Sequence, residues 1–398
     1  MTSLASKSSL YTLATAYSIT SQLVMIPILL KSITIESYGE LGLYLGLVAI
    51  FTALLPISSE NAIARSVFEE DRVLNQQVFK TASTIVLATF LLTMAIVLSL
   101  RGWLTESLLN ITLLALVTSV LQVFVNFVLV QLQMREEVLK YFLISILQVT
   151  LLVGLTVYWL PMLGVWARYF SPLASLSIVL VSYCVLTKFR YAYFTLSLSG
   201  WTYIKKVGLP LAPHSIIGVS INYLDRFVLK LLNYDVLLGF YTLSSQIINA
   251  VQAALSSINN AYTPWVFGKI KVAKEPNYKS IILIVAVLCV VVTSLLLLFM
   301  PLLPKNSYSV VLDSLYLLPI YIFFETAYYL INPILYFKKL GNLISFVSLA
   351  SAASRAGILL MYLILYEPTL EGMLITLVGA SVVKLFLTYW FVSSHHAD

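Results

Sequence analysis

The sequence predicts an all-α polytopic membrane protein with twelve membrane-spanning helices. Three observations lead there. Hydrophobic residues make up 60% of the 398 and charged residues only 10%, with a mean hydropathy of +0.95. A soluble domain carries about 25% charged residues, so this chain cannot supply a water-facing surface. Stretches free of Asp, Glu, Lys and Arg recur at about the 20 residues that a helix needs to cross a bilayer. Basic residues, finally, are distributed very unequally between alternate loops.

The uninterrupted stretches are 8–30, 41–59, 81–100, 107–134, 141–167, 169–187, 236–268 and 280–304. Four more, 207–234, 314–337, 340–366 and 372–394, are hydrophobic but broken by isolated charges. The longest, 236–268, has room for a re-entrant piece or an overrun into a loop. The start, "MTSLASKSSLYTLATAYS", has one Lys before a long apolar run and no small-residue cleavage site, so it reads as a retained first helix. With the N-terminus in the cytoplasm, sixteen Lys and Arg fall on inside segments, and only Lys31, Arg101, Arg168 and Lys305 fall outside. That asymmetry places both termini inside. The net charge of +7 is thus a topology signal, and its scatter over loops argues against nucleic acid as a partner. Cys184 and Cys289 both sit within expected spans, where they read as small buried residues and not as a disulfide framework.

Six spans precede the segment "KFRYAYFTLSLSGWTYIK" (188–205) and six follow it. An even number per half lets both halves enter the membrane in the same sense, as a parallel repeat requires. The expected division is an N-terminal half at 1–190, a cytoplasmic connection at 191–206 and a C-terminal half at 207–398. "LLKSITIESYGELGLYLG" after the first span resembles "VLKLLNYDVLLGFYTLSS" after the seventh. Each has a Lys, a short external turn, then Gly and Tyr opening the next helix.

Polar residues at helical spacing mark faces turned away from lipid. The first span carries Ser8, Thr12, Thr15 and Gln22, and the fourth carries Ser119, Gln122, Asn126 and Gln133. The eighth has Ser245, Asn249, Gln252, Ser256 and Asn259; the tenth has Tyr321, Glu325, Tyr328, Asn332 and Tyr336. The eleventh has Ser348, Ser351, Arg355 and Tyr362. Interhelical hydrogen bonding accounts for any one of these residues; five stripes together point to a hydrated central path. Ionisable residues within spans are confined to the second half: Asp225, Arg226, Lys230, Glu325, Arg355 and Lys384. Arg226, Arg355 and Lys384 are the expected members of a cationic cavity patch, with Asn222, Asn249, Gln252, Gln122 and Asn126 as hydrogen-bonding neighbours. Asp225 and Arg226 point about 100° apart and cannot pair well with each other. Asp225 is therefore expected to bond within its half, and Asn222 to share a face with Arg226. Structural pairing of Asp225 with Arg355 is the competing reading. Glu325 is either a proton site for coupling or the structural partner of Lys384 or Arg355. His214, beside Pro210 and Pro213 in "LPLAPHSIIG", is a proton carrier or a hydrated helix-end residue at a bent helix entry.

Residues 208–247, "GLPLAPHSIIGVSINYLDRFVLKLLNYDVLLGFYTLSSQI", carry the strongest family likeness. With Tyr38-Gly39, Arg65 and "AYTPWVF" (261–267), the chain resembles the bacterial polysaccharide flippases. These are the O-antigen and related oligosaccharide translocases (Wzx-type) of the multidrug/oligosaccharidyl-lipid/polysaccharide exporter superfamily. The resemblance implies two pseudo-symmetric six-helix lobes around a central cavity, working by alternating access in the bacterial inner membrane. It also implies a cargo of undecaprenyl-diphosphate-linked oligosaccharide, moved from the cytoplasmic to the periplasmic leaflet. A polysaccharide polymerase and a chain-length regulator would be its partners. The residues agree: a diphosphate asks for Arg and Lys, and sugars ask for amides and aromatic faces. One departure is "LLPISSENAIAR", with Pro56 and Glu60 where relatives commonly have a Gly-containing helix end. A cation or drug antiporter of the same superfamily is the alternative, although it would need open buried carboxylates. A polymerase or ligase would need a large catalytic outer loop, which the spacing does not leave. No metal constellation, nucleophile triad or phosphate-cradling glycine loop is present, so the expectation is a transporter without cofactor, catalytic residues or metal, acting as a monomer.

Overall fold

In hydrocarbon every backbone N–H must find its partner within its own segment or a closed sheet, and long apolar runs therefore become helices. The computed structural model describes residues 4–69, 71–187, 194–271, 316–337 and 341–394, with single positions at 287, 294 and 314. All regular structure among the described residues is helical. The helices are α1 (Leu4–Ser32), α2 (Ile35–Leu54), α3 (Ser59–Ser66), α4 (Arg72–Ser99), α5 (Glu106–Met134), α6 (Val138–Leu163) and α7 (Trp166–Thr187). Next come α8 (Leu198–Val207), a 3₁₀ turn at Leu209–Leu211, α9 (Ala212–Leu231) and α10 (Asp235–Lys271). The last described are α11 (Leu317–Phe337), α12 (Gly341–Leu365) and α13 (Leu370–Ser394).

Each expected span has its helix except 280–304, which lies outside the described residues but for positions 287 and 294, as does Cys289. Among the described residues eight helices are long and apolar enough to cross a membrane. The 236–268 stretch is one continuous helix of 37 residues, α10, about 55 Å long and so longer than the hydrocarbon core. Two short helices, α3 and α8, occupy what the sequence presents as loops. Pro213 stands at the second position of α9, where a missing N–H costs nothing; the interruption is confined to the 3₁₀ turn before it.

Contacts divide the chain into two compact units: Met1–Ser21 with Leu41–Ser220, and Gln22–Glu40 with Ile221–Asp398. Helices α1, α2 and α9 therefore change unit part-way along their length. In the first unit α5, α6 and α7 meet around Val125, Leu176 and Val179. Polar side chains inside it bond across helices, as they must in lipid. The Tyr44 hydroxyl lies 2.8 Å from that of Thr118, Ser119 donates to the Val48 carbonyl at 3.1 Å, and Thr89 donates to that of Leu55 at 2.7 Å. Pro56 ends α2, and the next two residues, Ile57 and Ser58, take left-handed φ values of 47° and 56°. For a β-branched residue this is a strained turn. Gly208 lies against it so closely that a Cβ there would sit 2.8 Å from the Ser58 carbonyl oxygen. Helix α8 is capped by Ser197, which accepts from the Gly200 N–H at 3.0 Å, and rests on α4 through Gly200. A Cβ at Gly200 would meet the Thr81 hydroxyl at 2.5 Å and the Gln77 carbonyl at 2.7 Å.

In the second unit α13 is packed by α11 and α12, and α11 also by α10. Here the two repeat-like segments come together. Gly39 opposes Gly239, and a Cβ on Gly239 would overlap the Ile35 carbonyl oxygen. Tyr38 donates to Gln246 Oε1 at 2.7 Å, and Lys230 reaches Asp235 at 2.7 Å and Glu40 at 3.6 Å. Lys230 is thus tied at the end of α9.

Candidate functional site

The charges that break the apolar pattern gather on α9, α11, α12 and α13 of the second unit. Asn222 and Asp225 are three residues apart on α9 and share a face. Arg355 of α12 spans both: Nη2 donates to Asp225 Oδ2 at 2.6 Å and Nη1 to Asn222 Oδ1 at 3.0 Å. The Tyr241 hydroxyl, from α10, donates to the same Asp225 oxygen and lies 3.3 Å from Arg355 Nη2. Asp225 is fully buried and Arg355 nearly so. Ionised groups at this depth cost several kcal/mol each when unpaired, and the planar guanidinium fork offsets that cost by engaging two acceptors at once.

A second centre joins α11 to α13. Lys384 Nζ lies 3.0 Å from Glu325 Oε2 and 3.3 Å from Oε1, and the Ser381 hydroxyl donates to Oε1 at 3.2 Å. The ammonium also sits 3.9 Å above the Tyr328 ring and 5.4 Å from that of Tyr329, so two aromatic faces share its charge. One turn before Glu325, Tyr321 accepts from the Gln252 amide of α10.

The expected cationic patch is therefore engaged as follows. Arg355 is held by Asp225 and Asn222, and Lys384 by Glu325. Arg226 is buried, with its guanidinium 4.6 Å above the Tyr223 ring. Periodicity puts Asn222 beside Arg226, but it serves Arg355, because its offset from Asp225 suits a fork reaching across from α12. Asn249 is exposed. Gln122 donates to Asn126 at 2.9 Å and accepts from Gln148 at 3.3 Å, forming an amide chain in the first unit. The side chain of His214 lies outside the described residues. Tyr241 and Ser381 escaped the sequence reading. Each is an ordinary polar residue in a helix, and only knowledge of which helices adjoin would have singled it out. Among the described residues no group of three or more His, Cys, Asp or Glu could hold a metal ion.

A family model described as polysaccharide biosynthesis protein matches residues 4–271. Two proteins of Haemophilus influenzae are related in sequence. An Lsg-locus protein is 26% identical over 263 residues, 63% of each chain. An uncharacterised membrane protein is 24% identical over 261 residues, 62% of this chain and 61% of its own. The chain thus spans a little over 60% of the length of these relatives. Among solved structures, an inward-facing multidrug-resistance MATE transporter of the MOP superfamily superposes with a TM-score of 0.70 at 17% identity, covering 98% of this chain and 94% of that one. A MOP-superfamily transporter from Pyrococcus furiosus superposes with a TM-score of 0.57 at 15% identity, covering 99% and 94%. Matched by its model over more than half its length, the chain belongs to the polysaccharide biosynthesis protein family, on the fold of the MOP-superfamily transporters.

Proposed function

We propose that the protein is a flippase for a polyprenyl-diphosphate-linked oligosaccharide, carried from the cytoplasmic to the periplasmic leaflet of the bacterial inner membrane by alternating access. Family membership supports the polysaccharide class. The observation that carries the polarity of the cargo is the state of the buried carboxylates. Asp225 and Glu325 each already hold a cation, Arg355 and Lys384 respectively. A carrier of cationic drugs needs a buried carboxylate open to its cargo, and neither of these is open. With Lys230 held by Asp235 and Glu40 at the end of α9, the remaining intramembrane set of this unit has three cations, Arg226, Arg355 and Lys384, to two carboxylates among the described residues, a balance that suits a diphosphate.

In this reading the Asp225–Arg355 pair fixes the orientation of α9. Arg226 on that helix receives the diphosphate or the first sugar. In the second unit the amides of Asn249 and Gln252 are candidates for hydrogen bonds to the saccharide, and in the first unit those of Gln122 and Asn126. Both termini are cytoplasmic, and a polymerase uses the delivered units on the far side. Arg226→Lys is the discriminating change, since it keeps the charge and loses the planar fork. Surface polysaccharide should fall at unchanged membrane expression. Wild-type polysaccharide in Arg226→Ala would remove Arg226 from the site.

A further inference from the structure

The first unit contains a cavity of about 520 Å³ where four helix ends converge. These are the C-termini of α3 and α5 and the N-termini of α4 and α6. Its volume lies within the range of small-molecule sites, about 300–1,000 Å³. Four ionisable side chains line it, two of each sign: Arg72 and Arg135, Asp71 and Glu137. Beneath them Asn75 is buried, donating to the Ser66 hydroxyl at 2.8 Å and accepting from Arg135 Nη2 at 3.1 Å. That bond fixes one guanidinium in the wall and leaves its remaining N–H groups for another acceptor. Asp71 uses Oδ1 to cap α4, accepting from the Val73 and Leu74 N–H groups at 2.8 and 3.1 Å. Glu137 holds Lys140 at 2.5 Å through Oε2. One oxygen of each carboxylate remains, since neither Asp71 Oδ2 nor Glu137 Oε1 has a described hydrogen bond.

The composition of this wall selects among ligands. Among the lining side chains a plain anion gains from the two arginines and loses to the two carboxylates, one of which Lys140 engages from outside the wall, and a plain cation meets the converse. A dipolar ion whose charges lie a few ångströms apart satisfies both. The surroundings supply the second criterion. Phe68, Val73 and Leu139 adjoin the lining residues in sequence and are 68%, 63% and 62% exposed. Phe68 belongs to no helix, so an exposed aromatic there fits a segment resting at the membrane interface. Charged pockets at the ends of membrane helices, rimmed by apolar side chains, suit lipid headgroups.

We infer that this cavity binds the headgroup of a phosphoethanolamine lipid, with the phosphate on Arg72 and Arg135 and the ammonium on Asp71 and Glu137. The site is separate from the charged centres of the second unit and acts on the host bilayer, not on the cargo. Phosphatidylcholine carries the same charges but no N–H donors for the carboxylates, and phosphatidylglycerol lacks the cation. The two lipids therefore separate the contributions of the wall.

The test uses the full chain in nanodiscs containing equal amounts of phosphatidylethanolamine, phosphatidylcholine and phosphatidylglycerol, followed by mild delipidation and native mass spectrometry. Wild type should keep one phosphatidylethanolamine in preference to the other two. Arg72→Gln, at the surface, and Glu137→Gln, half-buried, should each lower its occupancy about tenfold, the loss of one charge-assisted hydrogen bond or slightly less. Free O-phosphoethanolamine at matched concentration should not displace it. Equal retention of all three lipids would mean annular lipid only and overturn the proposal. Preference for phosphatidylglycerol would overturn the dipolar assignment, and displacement by free phosphoethanolamine would overturn the lipid. Unchanged occupancy in both variants would remove the cavity as the site.

Discussion

Replacing Arg355 by Met tests how the second unit is held together. The change removes three contacts at once: to Asp225 Oδ2, to Asn222 Oδ1 and to the Tyr241 hydroxyl. Among the described residues it leaves Asp225, fully buried, with only the hydrogen bond from Tyr241. Stranding one member of a buried pair costs about 3–5 kcal/mol, whereas replacing both by apolar groups of similar size is often neutral. Arg355→Met should therefore lower the unfolding midpoint in detergent by about 4–6 °C for a chain of 398 residues. Arg355→Met combined with Asp225→Leu should recover most of that loss. The double-mutant cycle should give a coupling of at least about 2 kcal/mol. A double variant no more stable than Arg355→Met would refute the reasoning, because it would mean that Asp225 is not the group left uncompensated.

The pair in the second centre should be worth less, since the Lys384 side chain is 19% exposed against 8% for Arg355 and shares its charge with two tyrosine rings. Lys384→Met should cost about 1–3 kcal/mol in the same assay, below the value at Arg355; a larger loss would reverse the ranking. Glu325→Gln keeps shape and removes charge, and its transport rate should respond to an imposed proton gradient to the same extent as that of wild type. A gradient dependence present in wild type and lost in the variant would assign Glu325 to coupling. At the glycine crossing, Gly239→Ala should lower stability by about 1–3 kcal/mol through overpacking against Ile35. An unchanged unfolding midpoint would show that α2 and α10 do not approach as closely as this. On α3, burial raises the Glu60 carboxyl above its ordinary value. A raised folded-state pKa means that stability is greatest with the group protonated and is lost as pH rises through that pKa. Glu60→Gln should therefore be more stable than wild type near pH 8 and match it near pH 4 (roughly the ordinary carboxylate value). Equal stability at both pH values would contradict the burial.

The spans were legible because backbone satisfaction in lipid leaves few alternatives to a helix once the apolar length is present. The ionisable residues were legible as a set for a related reason, since each stands out against its neighbours. Their partners were not. Asp225 with Arg355 and Glu325 with Lys384 could only be named among several combinations, because periodicity gives faces and not helix adjacency. The short helices α3 and α8 were hidden in segments of mixed composition. The α8 cap at Ser197 and its contact at Gly200 depend on Thr81 and Gln77, more than a hundred residues away. The turn at Ile57 and Ser58 runs against local preference, and no propensity rule would place a β-branched residue at positive φ. The likeness between the segments after Lys31 and Lys230 was visible in sequence, but their meeting at Gly39 and Gly239 was not.

The most direct test of the proposed function is translocation in a purified system. The protein would be reconstituted into proteoliposomes with a fluorescent polyprenyl-diphosphate oligosaccharide placed in one leaflet. Appearance of the saccharide in the other leaflet would be followed by its accessibility to an added lectin or glycosidase. The account predicts protein-dependent transfer of the diphosphate-linked oligosaccharide, strongly reduced in Arg226→Ala, and no uptake of cationic dyes by the same vesicles. Dye uptake without oligosaccharide transfer would contradict it and favour the antiporter.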